Sequence, residues 1–458
     1  MKKLLNIGLV LAAVLAVSSC KKVLDVEPQQ SIDAGTALQN DQDVNSLVVG
    51  GYALMGTGNL YGTNLLLLPD LLGSDGVATW RGTFQGQRQV ATKTMNSINT
   101  EANRTWTTAY RVINIANTTI DALGVVKDAN LKMQLEGEAL FMRGVMHFEL
   151  VRLYALPWGA TADNSHLGVV IKLKTTKNEA DAFAKSPRNT VSEVYTQAIA
   201  DLTKAVTLLP ATSRLRVTRF TALGFLSRLY LAQGNYAAAR DAVNLVITSG
   251  RYALNASVLA VFNNKNTRES IWEIQQNEQN NAGSGNDGMA TFYASLPGIG
   301  RADVRVTPSY VSNNYPAGDL RRSEWYYIGT GARPGNTYSA KWTSFSQNIP
   351  IIRLSEMYLT RAEANLVLGT TVGATPDEDY AKVKNSIRTN TIAAPATLVN
   401  IRAERFIELA FEGHRIHDLR RLRLNTGSFP WNSNRLVLPI PQREIDASEG
   451  VLVQNPGY

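Results

Sequence analysis

Cysteine occurs once in these 458 residues, at position 20. A single cysteine excludes an intrachain disulfide and any metal site built on several thiolates. Histidine is scarce too, with four residues, and charged residues make up only 18% of the chain. That is too few for a chain held open by its own charge. The net charge is +8, but Lys2 and Lys3 supply two of those charges. No Lys/Arg run is long enough to follow a nucleic-acid backbone, so no nucleic-acid partner is expected. Beyond the first twenty residues there is no apolar run of transmembrane length. What is present is 44% hydrophobic residues, enough to bury a sizeable core. The length suits two or three domains or one large helical array.

The N-terminus reads as an address. Met1-Lys2-Lys3 is a short positive region, and Leu4 to Val17 is apolar apart from Asn6 and Gly8. The small residues Ser18 and Ser19 then precede Cys20. This is the layout of a secretory signal spanning 1–19. A cysteine directly after the small residues resembles a bacterial lipobox, which makes Cys20 the expected site of lipid attachment. Two or more acyl chains suffice for stable anchoring. Residues 20–35 are then an extended leader, and 36–458 a single domain.

Most of that domain carries apolar residues at a 3.6-residue period. Gly137 to Tyr154 is the clearest helix, stopped by Pro157 and Gly159. Asn103 to Leu123 is a second. Thr190 to Leu209 is a third, with Thr190 as N-cap and Glu193 as its capping-box partner. Thr221 to Leu231, a turn at Gly234, and Ala237 to Thr248 form a helical hairpin whose Gly224, Tyr230 and Ala239 fill the small, aromatic and small positions of a tetratricopeptide-type unit. Such units stack, because one alone cannot bury its apolar face. Asn103–Tyr154 and Ile349–Gly369 with Asp377–Thr389 are the other expected members. Ser270 to Ile274 alternates like a short strand. Two stretches, about 55–100 (Tyr61–Gly86 above all) and 252–350, show no helical period and are rich in Gly, Asn, Ser and aromatic residues. They are expected to form an irregular layer over the helical scaffold, since aromatic content argues against disorder.

Several motifs now line up in order over more than 400 residues. They are Leu24-Asp25-Val26-Glu27-Pro28, the helix around Arg143, Pro187-Arg188-Asn189-Thr190-Val191, and Ile247-Thr248-Ser249-Gly250-Arg251-Tyr252. They continue with Ile349 to Leu359 and Ala362-Glu363-Ala364, Glu404 to Arg415 with Asp418-Leu419, Leu438-Pro439-Ile440-Pro441 with Glu444-Ile445, and Gln454-Asn455-Pro456-Gly457-Tyr458. Together they resemble the SusD/RagB family of outer-membrane lipoproteins. One departure is Ala155-Leu156 before Pro157, where many relatives carry Gly-Asp. The resemblance implies a mainly α fold, a right-handed scaffold of tetratricopeptide hairpins with a loop-rich binding face and a few short strands. It further implies a lipid-anchored protein at the outer membrane that docks as a lid on a SusC-like TonB-dependent transporter and binds an oligosaccharide, or in a minority of members a peptide. The leader lacks the acidic run that accompanies surface export, so an outward-facing position follows from the resemblance alone.

Glu404, Glu408 and Glu412 recur every four residues and would share one helix face. They are expected to form a structural ion-pair network with Arg402, Arg405, Arg415 or Arg420, and Arg353 with Glu356 and Glu363 a similar one, so no catalytic residue is expected. His414 and His417, three apart, read as surface or rim histidines without a third ligand, so no metal site is assigned. Gly283 to Gly288 matches G-x-G-x-x-G in form, but no strand precedes it and no good helix follows. It reads as a loop, and no cofactor is expected. The loop aromatics carry the functional signal, because a sugar ring presents an apolar face to a flat side chain while amides and carboxylates bond its hydroxyls. Trp80, Tyr293, Trp325, Tyr327 and Trp342 are the candidates, with Arg81, Asn286 and Asp287 as polar contacts. No family motif fixes these positions. Trp106, Tyr110, Tyr154 and Trp272 fall on periodic elements and are expected in the core. A glycan hydrolase would need two carboxylates facing across a cleft, and no convincing pair is found. A scaffold lipoprotein that binds only protein is the third reading.

Overall fold

The computed structural model describes residues 38–458 apart from 179, 182–183, 214 and 386–387. The signal segment and Cys20 lie outside the described residues. The scaffold is a serial array of helices: α1 (Asp41–Met55), α2 (Asn64–Leu72), α3 (Gln85–Thr92), α4 (Thr100–Ala122), α5 (Ala129–Tyr154), α6 (Val191–Leu208), α7 (Arg219–Gln233), α8 (Tyr236–Thr248), α9 (Leu354–Leu368), α10 (Pro376–Lys384) and α11 (Leu398–Glu408). From α4 to α10 each packs against the next in the chain, α11 packs back on α9, and α1 covers α4. This is the stacked-hairpin architecture the periodicity predicts.

Local chemistry starts and stops these helices where the sequence signals it. The Thr190 side chain accepts the Glu193 N–H, and the Glu193 carboxylate accepts the Thr190 N–H at 2.7 Å, closing the capping box. Asp128 caps α5 by accepting from the N–H groups of Asn130 and Leu131, so that helix begins eight residues before the expected Gly137. From Gly137 to Tyr154 all but Arg152 are buried, because α4, α6 and α1 all pack against this helix. Its buried charges are paired, Glu138 with Arg216, Arg143 with Asp201 and Glu149 with Arg152. Between α7 and α8, Gly234 takes φ 72°, and the Asn235 N–H reaches back to the Tyr230 carbonyl at 2.8 Å. Glycine meets no steric penalty there.

The segment Tyr61–Gly86 corrects an expectation. It holds α2, nine residues that are all buried. Asn-Leu-Leu-Leu-Leu-Pro-Asp-Leu-Leu has no polar face to set a period, and its internal Pro69 reads as a breaker. The 252–350 layer likewise contains short elements: β2 (Ser270–Ile274), the helix Met289–Tyr293, β3 (Val304–Val306), β4 (Tyr326–Ile328) and β5 (Thr337–Ser339). β1 (Ala78–Trp80) pairs antiparallel with β3, β4 with β5, and β2 with β6 (Ile349–Arg353), the last across two register irregularities.

Beneath this layer lies a buried ion network. Arg353 binds Glu269 at 2.8 Å, Glu408 at 3.0 Å and Glu412 at 2.7 Å. Arg321 binds Asp319 and Glu408, each at 2.8 Å, and also Glu404. Lys341 reaches Glu412 at 2.6 Å, and all these side chains are almost fully enclosed. The three glutamates are therefore structural as expected, but their partners differ. Arg402 pairs with Glu363, Arg405 with Asp418 and Glu356, and Arg415 and Arg420 donate to backbone carbonyls. Glu356 takes Arg228, at 2.7 Å, rather than Arg353. Glu412 lies beyond the end of α11, within a turn in which its neighbours Phe411 and Gly413 have positive φ. His414 is buried, not at the rim: it accepts from Arg228 at 3.3 Å, and burial holds its imidazole well below the ordinary histidine range.

Candidate functional site

The layer presents its aromatic and charged groups around the β1–β3 ribbon. Trp80 sits opposite Val304, and the Arg81 N–H continues the ladder to the Asp303 carbonyl at 2.6 Å. Side chains alternate along β1, so Ala78 is buried, Thr79 is exposed, and Trp80 is half-buried. The Trp80 ring rests against the buried Phe292, centroids 5.6 Å apart, and Phe84 meets the same Phe292 edge-on at 6.0 Å. Gly82 makes this seat: a Cβ there would fall 2.5 Å from the Trp80 ring and 2.7 Å from the Asp303 carboxyl carbon.

Asp303 is buried and gripped by two arginines. Arg301 Nε donates to it at 2.9 Å and Arg333 Nη1 at 2.8 Å. The Arg301 guanidinium also lies 4.2 Å over the Phe84 ring and donates to Thr83 Oγ1 at 2.9 Å. Arg333 donates to the carbonyls of Arg301 and Ala302 as well, and the Tyr338 hydroxyl donates to the Arg333 carbonyl at 2.9 Å. The β4–β5 hairpin is thereby tied to the ribbon, and its half-buried Tyr327 accepts the Ser295 N–H at 2.8 Å. Flat apolar faces stand beside oriented cations and a fixed carboxylate, the composition that holds a ligand with both apolar faces and hydroxyls.

Of the residues singled out in the sequence, the structure gathers Trp80 and Arg81 on this rim, with Tyr327 on the adjoining hairpin. Asn286 is exposed at φ 60° and Asp287 is half-buried. Asp287 forms an ion pair with Arg104, and its backbone carbonyl accepts from Thr63, so it also ties the loop to α4. Burial raises its carboxyl above the usual aspartate value. Three aromatic candidates are interior and offer no face to a ligand. Trp325 donates to the Val258 carbonyl at 3.0 Å and lies under the Lys341 ammonium, 3.8 Å from its ring. Trp342 donates to the Phe411 carbonyl at 2.9 Å, and Tyr293 donates to Asp70 at 3.4 Å. Each indole N–H and phenol O–H found a partner inside, which is what allows such rings to be buried. Trp106, Tyr154 and Trp272 are in the core as expected, while Tyr110 is half-buried. Sequence reading missed Arg301, Asp303 and Arg333. Arg301 and Asp303 flank Ala302, whose left-handed backbone at φ 57° brings the two side chains together, and no local pattern signals that.

Two family descriptions match this chain: "Starch-binding associating with outer membrane" over residues 22–231 and the SusD family over 309–437. The chain belongs to the SusD/RagB family. Among its SusD-like relatives, SusD-like protein P2 of Formosa agariphila is 26% identical, over 91% of this chain and 92% of that protein. A SusD superfamily protein from Bacteroides thetaiotaomicron superposes with a TM-score of 0.81 at 27% identity, covering 91% of this chain and 100% of that one. Surface glycan-binding protein A from the same organism, solved with laminarihexaose, gives 0.75 at 20% identity over 91% and 99%, a likeness of fold. The SusD-like fold implied by the sequence motifs is the fold observed, and no helix among the described residues is long and apolar enough to cross a membrane.

Within this SusD-like fold, the carboxylates of Asp303 and Asp287 are each paired with arginine. Asp303 faces two guanidiniums and Asp287 faces one.

Proposed function

We propose that this chain captures an oligosaccharide at the Trp80 rim and hands it, unchanged, to a SusC-like TonB-dependent transporter, while acyl chains on Cys20 hold it at the outer-membrane surface. The observation that carries this reading is the half-buried Trp80–Phe84 pair beside the Arg301–Asp303–Arg333 clamp. An indole face buries the apolar face of a sugar ring, and the rim's guanidiniums bond its hydroxyls. The starch-binding description of the matching family supports this, as does the shared scaffold on which surface glycan-binding protein A was solved with laminarihexaose.

Calorimetry of the chain from residue 21 onward against a panel of neutral oligosaccharides and peptides, with product analysis of the same samples, tests this. Saturable oligosaccharide binding that falls at least tenfold in Trp80→Ala, with no cleavage product, is the expected result. Released product overturns capture without turnover. Peptide binding in place of sugar moves the chain to the peptide-binding branch, and silence across the panel leaves the protein-scaffold reading.

A further inference from the structure

A second concave surface lies on elements that contribute nothing to the Trp80 rim. It is a groove of about 380 Å³ between α4, the extended stretch 170–176 and the short helix Gln442–Ala447. That volume falls in the range of small-molecule sites, roughly 300–1,000 Å³. One wall is rigidly built. The Tyr110 hydroxyl donates to the Val170 carbonyl at 2.8 Å, Asn117 donates to the carbonyls of Lys172 and Lys174 at 3.2 and 3.1 Å, and the Thr176 N–H donates to Asn114 at 2.9 Å. Three side chains from one face of α4 thus stitch the extended stretch to the helix.

Alternation along an extended chain then sends Val170, Lys172, Lys174 and Thr176 to the groove. The Lys172 ammonium donates to Ser186 at 3.0 Å. Neither Lys172 nor Lys174 pairs with a carboxylate among the described residues. Lys185, across the groove, pairs with the exposed Glu449, and Arg443 with its neighbour Glu444 at 3.1 Å. The lining therefore carries four cations against one carboxylate, Glu444, around a half-buried phenol ring.

We propose that this groove binds an anionic sugar unit, a uronate or a sulfate ester, with its ring along Tyr110 and its charge at Lys172, Lys174 and Arg443. The inference rests on the glycan-binding reading above and adds a second, charge-selective subsite to it. A flexible pair of ammonium groups serves carboxylate and sulfate alike, as point charges.

The test is calorimetry of the full chain with oligogalacturonate as the uronate probe, a sulfated galactan oligosaccharide as the sulfate probe, and a neutral oligosaccharide that binds the wild type. Lys174→Glu with Arg443→Glu reverses two exposed charges without touching the core. The expected result is at least a tenfold loss of affinity for one or both acidic probes in the double variant, with unchanged neutral-sugar affinity and melting temperature. Affinity for the acidic probes should also fall at least tenfold between about 50 and 500 mM salt. Acidic probes that do not bind, or that bind the reversed variant equally well, overturn the subsite. Poly-glutamate binding as tightly as the sugars overturns its assignment to saccharide. Acidic sugars bound at the groove while every neutral sugar fails would instead count against the Trp80 rim alone.

Discussion

Gly224, in the middle of α7, faces Ile352 of β6 so closely that a Cβ on it would stand 2.8 Å from Ile352 Cδ1 and 3.0 Å from Cγ2. The helical hairpin and the β2–β6 ribbon meet at this point, and only a residue without a side chain lets them. Gly224→Ala is therefore expected to destabilise by about 1 kcal/mol, because overpacking of roughly 1–3 kcal/mol outweighs the gain in helix propensity. In an Ile352→Val background, which removes Cδ1 but keeps Cγ2, the same change should cost less. Urea melts of the four proteins check this, and additive effects would show that the contact does not limit the approach.

Trp80 and Trp325 separate binding from folding. Trp80→Ala removes a half-buried ring from the rim and is expected to weaken oligosaccharide binding at least tenfold with a small change in melting temperature. Trp325→Ala empties an enclosed site and strips the ring from under Lys341. It should cost about 3–5 kcal/mol of stability, while whatever folds keeps its affinity. Equal effects of the two on affinity would refute the division between rim and core.

Arg353 is enclosed among Glu269, Glu408 and Glu412. Arg353→Met leaves those carboxylates crowded without their main counter-charge, and the expected loss is about 3–5 kcal/mol, since breaking one partner of a buried pair strands the other. Chemical denaturation measures it. A loss under about 1 kcal/mol would mean that Arg321 and Lys341 compensate.

Asp70 supplies a pH-dependent test. Burial pushes its carboxyl up to about 7, the Gly413 N–H at 3.1 Å opposes that rise, and Glu412 adds to it. The folded state thus prefers the protonated acid. That preference contributes stability fully below the unfolded value near 3.8 and loses it as pH rises through about 7. Asp70→Asn keeps an acceptor for Gly413 and cannot ionise, so its advantage over the wild type should grow from near zero below pH 4 to as much as about 4 kcal/mol above pH 7. Melting temperatures of both proteins at pH 5 and pH 8 decide it. A difference that does not change with pH rules out titration of Asp70 as the cause.

The candidate site was only partly legible before folding. Trp80, Arg81 and Tyr327 stood out as loop aromatics and their neighbours, and they do lie at or beside the rim. Trp325, Trp342 and Tyr293 looked the same in sequence yet are interior. An irregular segment has no period that assigns a side chain to one face, so exposure there depends on what the loop is laid against. Asp303 was invisible for the same reason: its role comes from Arg333, thirty residues away, as much as from Arg301.

What the sequence by itself determined is the helical array, the Thr190 cap, the Gly234 turn and the strand at Ser270–Ile274. Each of these is encoded by residues within a few positions of one another, through hydrogen bonds and periodicities that act locally. Tertiary structure alone decided that Glu408 meets Arg353 and Arg321 rather than a nearer arginine, that α2 is buried on every side, and that Lys172 and Lys174 face a groove. Those outcomes depend on segments distant in the chain being packed together, where burial makes every charge and polar group seek a partner that no local pattern names.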